Sequence, residues 1–227
     1  LVYPARQLSD IIIRQAIRYQ SVCGTPVRCS AGCMACCKYA ITVSPAEAFA
    51  VNEMLSHLPR QSRLTLVRNM TIAGRTILNS YPSVIGAKHS RSSHASSLLP
   101  ALSRWYSGLN LTCPWIENKR CSQYTSRPLV CREFMVTSPP AKCNPNVPCG
   151  RTVVDLPIKV SEILMDVCSR LENTKPEAIF LPLVPAWCAD ASDIQHQRFN
   201  AQEAAKVFVD AIQQYCKQTE SSVVAVQ

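Results

Sequence analysis

Cys29-Ser30-Ala31-Gly32-Cys33-Met34-Ala35-Cys36-Cys37-Lys38 puts four thiols into one short stretch. Cysteines two or three residues apart can turn their sulfurs toward one point, which is why such spacings mark chelation. Gly32 stands where that approach needs a tight turn. Neighbours Cys36 and Cys37 are poorly placed to bond each other, because disulfide geometry is demanding. The stretch sets the expectation for the whole fold: irregular sulfur-gathering loops, with regular elements arranged to bring them together.

A second cluster follows after about 75 residues. It reads Cys113-Pro114-Trp115, then Cys121, then Arg127-Pro128-Leu129-Val130-Cys131-Arg132. Proline after Cys113 removes a backbone donor and fixes the chain beside a metal, as it does in bacterial ferredoxins. The chain has 13 cysteines, an odd number that cannot be fully paired within one molecule. The expected ligand set is Cys29, Cys33, Cys36, Cys37, Cys113, Cys121, Cys131 and Cys149. Cys143 stands level with Cys149 as a candidate, and Cys23 somewhat below. Cys168, Cys188 and Cys216 lie in helical or apolar contexts and read as small buried hydrophobes. Structural zinc prefers two close pairs. Thiols as scattered as Cys113, Cys121 and Cys131 suit an iron–sulfur cluster better, because loops can wrap its larger cage. The favoured cofactor is therefore a [4Fe–4S] cluster, with zinc as the alternative. Arg127 and Arg132, beside these thiols, could donate to sulfur, hold an anion or form plain ion pairs.

These residues resemble the cysteine-cluster family, CxxCxxCC, described as zinc- or iron-chelating. The C-x-x-C-C core is matched by Cys33, Cys36 and Cys37. The later C-P…C-x-x-Y…R-P-x-x-C-R stretch is matched by Cys113, Pro114, Cys121, Tyr124, Arg127, Pro128, Cys131 and Arg132. The halves occur in the right order. The resemblance covers about Cys29 to Arg132 and implies cysteine-based metal binding. It places Tyr124, Arg127 and Arg132 around the ligands. The family includes flagellin lysine N-methylases, so a protein lysine methyltransferase-like enzyme using S-adenosylmethionine is a second expectation. Those enzymes are larger, and no catalytic residue can be named. Cys29-x3-Cys33-x2-Cys36 also has the spacing of radical S-adenosylmethionine enzymes. Ala35 stands where those place an aromatic, and the alternating strand–helix pattern of their barrel is missing.

The 227 residues, 47% hydrophobic and 17% charged, can bury a core without disulfides. Only 6 glycines occur, and neither G-x-G-x-x-G nor a P-loop is present, which argues against a nucleotide-binding fold. No apolar run is long enough to cross a bilayer. Arg6, Asp10 and Arg14 break up the first residues, so they do not read as a signal peptide, and a reducing, cytoplasmic location is expected. A disulfide-rich scaffold in an oxidising compartment is the competing reading.

The periodicity predicts a mainly α fold: a helical bundle with irregular Cys-rich metal-binding loops at one end. A helix is expected from Leu8 to Gln20, with Leu8, Ile11, Ile12, Ala16 and Tyr19 on its inner face. Ser44-Pro45-Ala46-Glu47 reads as a capping box opening a helix to about His57. Pro59 should end it, and a second helix should run from Gln61 to Asn79, carrying Leu64, Val67, Ile72 and Leu78. Tyr81 to Ser97 reads as a polar, basic loop. Further helices are expected over Leu98–Leu109 and Pro157–Leu171. A last one should begin at Asn200, with Ala204, Ala205, Phe208, Ile212 and Tyr215 inward. The organisation expected is one domain over 1–227, with a metal-binding core at 23–150 and a helical extension at 151–227.

The formal charge is +9, from 24 Lys and Arg against 15 Asp and Glu. Four thiolates on a zinc ion or a [4Fe–4S]²⁺ core sum to about −2, so a metalated chain is less basic than it looks. Met54 to Ile116 has no acid but has Arg60, Arg63, Arg68, Arg75, Lys88, Arg91 and Arg104. It reads as a solvated face balancing the thiolates, or as a docking surface for an acidic protein. Nucleic acid is the weaker partner reading, because aromatics are not interleaved there. His57, His89, His94 and His196 show no metal-ligand spacing.

Overall fold

The computed structural model describes residues 1–81, 95–144, 150–191 and 199–224; for 95–100 and 219–224 it describes the backbone alone. Lys88, His89, Arg91, His94, Cys149 and His196 lie outside the described residues. The fold is mainly α, as expected. Eight helices occur among the described residues: α1 (Val2–Val22), α2 (Pro45–His57), α3 (Arg60–Ser80), α4 (Ala95–Gly108), α5 (Leu129–Glu133), α6 (Val160–Glu172), α7 (Val184–Asp190) and α8 (Ala201–Val224). Four two-residue strands join them: β1 (Thr42–Val43), β2 (Ile116–Glu117), β3 (Arg120–Cys121) and β4 (Ile179–Phe180).

The α2–α3 pair positions everything else. Ser44 caps α2, accepting from the Glu47 N–H at 3.3 Å, and Pro45 occupies the first helical turn. The Glu47 carboxylate also reaches across to α5, accepting from Leu129 N–H. Pro59 ends α2 and is also the N-cap of α3, so the two helices turn back on each other over two residues. The inner face of α3 is Leu66, Met70, Ala73, Gly74 and Ile77. Leu64, Ile72 and Leu78, expected among its packing residues, are more than half exposed; only Val67 of that set packs on the core. The sequence carries apolar residues on both sides of this helix, and the side bearing Gly74 wins because it fits closely. A Cβ at Gly74 would meet Leu183 Cδ2 at 3.0 Å and the Pro182 carbonyl at 3.2 Å. The 181–183 turn thus lies almost on the α3 backbone.

The main core gathers Val43, Val51, Leu55, Leu66, Met70, Trp115, Ile179, Leu181 and Val184, with Cys113 and Cys188 among them. β1 pairs antiparallel with β4, Thr42 opposite Phe180 and Val43 opposite Ile179, tying the segment before α2 to the segment before α7. Tyr106 of α4 stacks on Phe180 at 6.0 Å, and Trp105 donates to the Ser80 carbonyl. On the other side, α1 packs on α5 and α6, burying Ala5 against Leu129, Val160 and Leu164. Its inner face is Ala5 and Ser9, flanked by Leu8, Ile12, Ile13 and Ala16. Ile11 and Tyr19, expected inward, are mostly exposed. Small residues let α1 approach closely, and the run Ile11-Ile12-Ile13 does not define a face alone. In α8, which packs on α6, Ala204 and Ala211 are buried and Ala205 faces solvent.

Candidate metal centre

The loop after α1 folds by short turns. Cys33 N–H donates to the Ser30 carbonyl around Gly32, whose φ of +90° is open to glycine at little cost. Cys37 N–H donates to the Met34 carbonyl, and Tyr39 N–H to the Cys36 carbonyl. Arg28 N–H donates to the Val136 carbonyl, and Val136 N–H donates back to the Cys29 sulfur at 3.4 Å. The loop is thereby fastened to the segment after α5.

The two cysteine motifs meet directly. Cys113 N–H donates to the Cys37 carbonyl at 2.7 Å. The α2–α3 hairpin makes this possible by returning the chain to its start. Beyond Cys113, β2 and β3 form a hairpin that sequence periodicity did not reveal. Its two-residue turn, Asn118-Lys119, has both residues at positive φ, as type I′ turns require. Ile116 then lies opposite Cys121, and Ser122 N–H donates to the Trp115 carbonyl, which carries Cys121 back beside Cys113. Cys131 rides on α5. That helix is held at both ends by buried carboxylates. Glu47 accepts from Leu129 N–H at 2.8 Å, while Glu133 accepts from the Ser9 hydroxyl and from Ser161 N–H and hydroxyl.

Seven of the eight expected ligands fall in this region; Cys149 lies outside the described residues. Cys143, left undecided by sequence, is buried on a 3-10 turn (Pro140–Cys143) and walls one small cavity with Cys29, Cys33 and Cys36. The stiff Pro139-Pro140 pair just before it was the available signal. Cys23 ends α1 in the open, Cys168 is buried on α6, and Cys188 on α7 is buried in the main core that also holds Cys113. All twelve described cysteines are free thiols, and no three described side chains are already closed around a single-ion position.

The thiols feel one another. The Cys37 thiol hydrogen-bonds Cys36, pulling Cys36 down to about 7 and Cys37 far up. Burial raises Cys113 to about 12. Burial, then the charges of Cys113, Cys36 and Cys121, push Cys131 well up. So many sulfurs cannot all ionise side by side without a cation among them, and a bound metal reverses that balance. The charge of Arg127 favours ionised Cys29, Cys36, Cys121 and Cys131, and that of Arg151 favours ionised Cys143. The Arg127 guanidinium lies 4.0 Å over the Tyr124 ring, with a buried Nε that has no hydrogen-bond partner. Arg132 turns away to Asp10 at 3.1 Å and to the Arg127 and Thr125 carbonyls. His57, the one described histidine, sits exposed at the end of α2 with its ring against the Glu53 carbonyl.

A family model described as "CxxCxxCC: putative zinc- or iron-chelating domain" matches residues 28–150. The chain belongs to this family. The CxxCxxCC match begins one residue before Cys29 and ends one residue after Cys149, so it takes in both cysteine motifs and the Cys143 turn. No curated protein and no solved structure matches the chain. No described helix is long and apolar enough to cross a membrane.

Proposed function

We propose that this CxxCxxCC chain holds iron as [4Fe–4S] clusters on thiolates from both of its motifs. The observation that carries the reading is the backbone bond from Cys113 to Cys37, which merges the two motifs into one pool of sulfur. The donors suit the group. They are all soft thiol donors, drawn from the loop after α1, the β2–β3 hairpin and the segment before it, α5 and the 140–143 turn, and no described histidine or carboxylate walls the cavity of Cys29, Cys33, Cys36 and Cys143. Arg127 offsets part of their charge. Such a cluster supplies one-electron chemistry or a structural clamp. Protein purified without oxygen should show broad visible absorption, with matching iron and acid-labile sulfide. A colourless protein replete with zinc overturns the iron reading.

We further propose that α3 docks an acidic protein. Arg60, Leu64, Arg68, Ile72, Arg75 and Leu78 share one exposed face of this helix, alternating charge with apolar surface. None of its arginines forms an ion pair among the described residues. A helix with carboxylates and leucines at matching intervals complements that stripe. A synthetic peptide of that pattern should bind, bind less as salt rises, and lose binding in the Arg68→Glu, Arg75→Glu variant with metal content unchanged. Equal binding of duplex DNA would show a general polyanion surface and overturn the protein reading.

A further inference from the structure

We propose that the sulfur pool is divided into two four-thiolate centres: Cys29, Cys33, Cys36 and Cys143 hold one, and Cys37, Cys113, Cys121 and Cys131 hold the other. The division rests on the metal-binding reading above and goes beyond it in number, membership and boundary.

The first set is defined by a shared wall. Cys29, Cys33, Cys36 and Cys143 all line one cavity, closed by Phe134 and Val136, and none of the other four does. Cys29 is fixed there through Val136 N–H, and Cys33 by the Gly32 turn. The second set is defined by shared packing. Cys37, Cys113 and Cys121 all pack on the main core, which also holds Cys188 of α7, and none of the three lines that cavity. The β2–β3 hairpin and the Cys113–Cys37 backbone bond hold these three together. Cys131 completes the set from α5.

Cys36 sits between the two sets: its thiol hydrogen-bonds Cys37, and it lines the cavity. Its place in the cavity wall assigns it to the first set. The Cys36–Cys37 pair is then the seam between two neighbouring centres. Four sulfurs complete the protein shell of either a [4Fe–4S] cluster or a tetrahedral zinc ion, so eight complete two.

The test is metal stoichiometry on the full chain, by native mass spectrometry and by iron, zinc and sulfide analysis. The wild type should carry about eight iron and eight sulfide, or two zinc ions if the metal is zinc. Cys143→Ser and Cys121→Ser should each keep half, and the double variant none. Circular dichroism follows folding, and Cys33→Ala and Cys113→Ala repeat the two arms at other positions. If the metal is iron, the reduced wild type should show a magnetic interaction between two centres that disappears in either single variant. A wild type carrying no metal would sink the metal-binding reading itself. A metal-bearing wild type in which Cys143→Ser loses nothing, or Cys149→Ser halves the content in its place, overturns the division. So does a Cys121→Ser variant stripped of all metal while it remains folded.

Discussion

Glu47 shows how one side chain links the helices to the sulfur. Its carboxylate is buried and accepts the first N–H of α5, the helix bearing Cys131. Glu47→Ala strands that N–H and should cost about 1–3 kcal/mol. Glu47→Gln keeps an acceptor and removes the charge. Burial raises the Glu47 carboxyl above its ordinary 4.5, against the opposing hydrogen bonds from Leu129 and Ser44 and the charge of Arg6. The folded chain therefore holds this proton to higher pH than the unfolded chain does. Below about 4.5 both states are protonated and burial costs nothing. Stability then falls as pH rises through the window up to the raised folded value, and above it the cost is complete. Urea unfolding across pH 4–8 should show Glu47→Gln gaining on the wild type through that window. A gap that narrows with rising pH would mean the hydrogen bonds and Arg6 outweigh burial. Lys119, at φ +58° in the β2–β3 turn, offers a local test in the other direction. Lys119→Gly relieves the left-handed conformation and should stabilise the chain by about 1 kcal/mol, measured in the same assay.

Among the elements, the α2–α3 hairpin was legible from Ser44-Pro45, Glu47 and Pro59, because caps and prolines act locally. Which side of α3 faces in was not legible. Leu64, Ile72 and Leu78 look like a core stripe in sequence, and only the close fit of Gly74 on the 181–183 turn decides otherwise. Gly74→Ala tests that fit. It gains about 1 kcal/mol of helix propensity but pushes on the Pro182 backbone, costing about 1–3 kcal/mol, so the melting temperature should drop. An unchanged or higher value would show that the turn yields freely. The sulfur loops divided in a similar way. Short-range spacing marked Cys29 to Cys37, whereas the β2–β3 hairpin is local but built of strands only two residues long, and the place of Cys143 depends on contacts far apart in sequence. Neither leaves a periodic trace.

At the scale of the whole molecule, metal held as proposed, by thiols from both motifs, would close a loop of about 75 residues at the base of the α2–α3 hairpin. Chelation should loosen Cys29–Cys37 and Cys113–Cys131 together, while the hairpin keeps its helices. Hydrogen exchange with and without chelator reads this out; one region opening while the other stays protected would separate the motifs energetically. The β1–β4 pairing adds a different consequence, in time. Val43 lies inside the family match, and its partner Ile179 lies beyond it. The whole cysteine region is synthesised before β4 exists. Through that interval the nascent thiols are already available while the strand that seals Val43, Trp115 and Leu66 has yet to be synthesised. The closing step of the fold therefore belongs to its last third, and a chain arrested before Ile179 exposes the apolar surroundings of its sulfur.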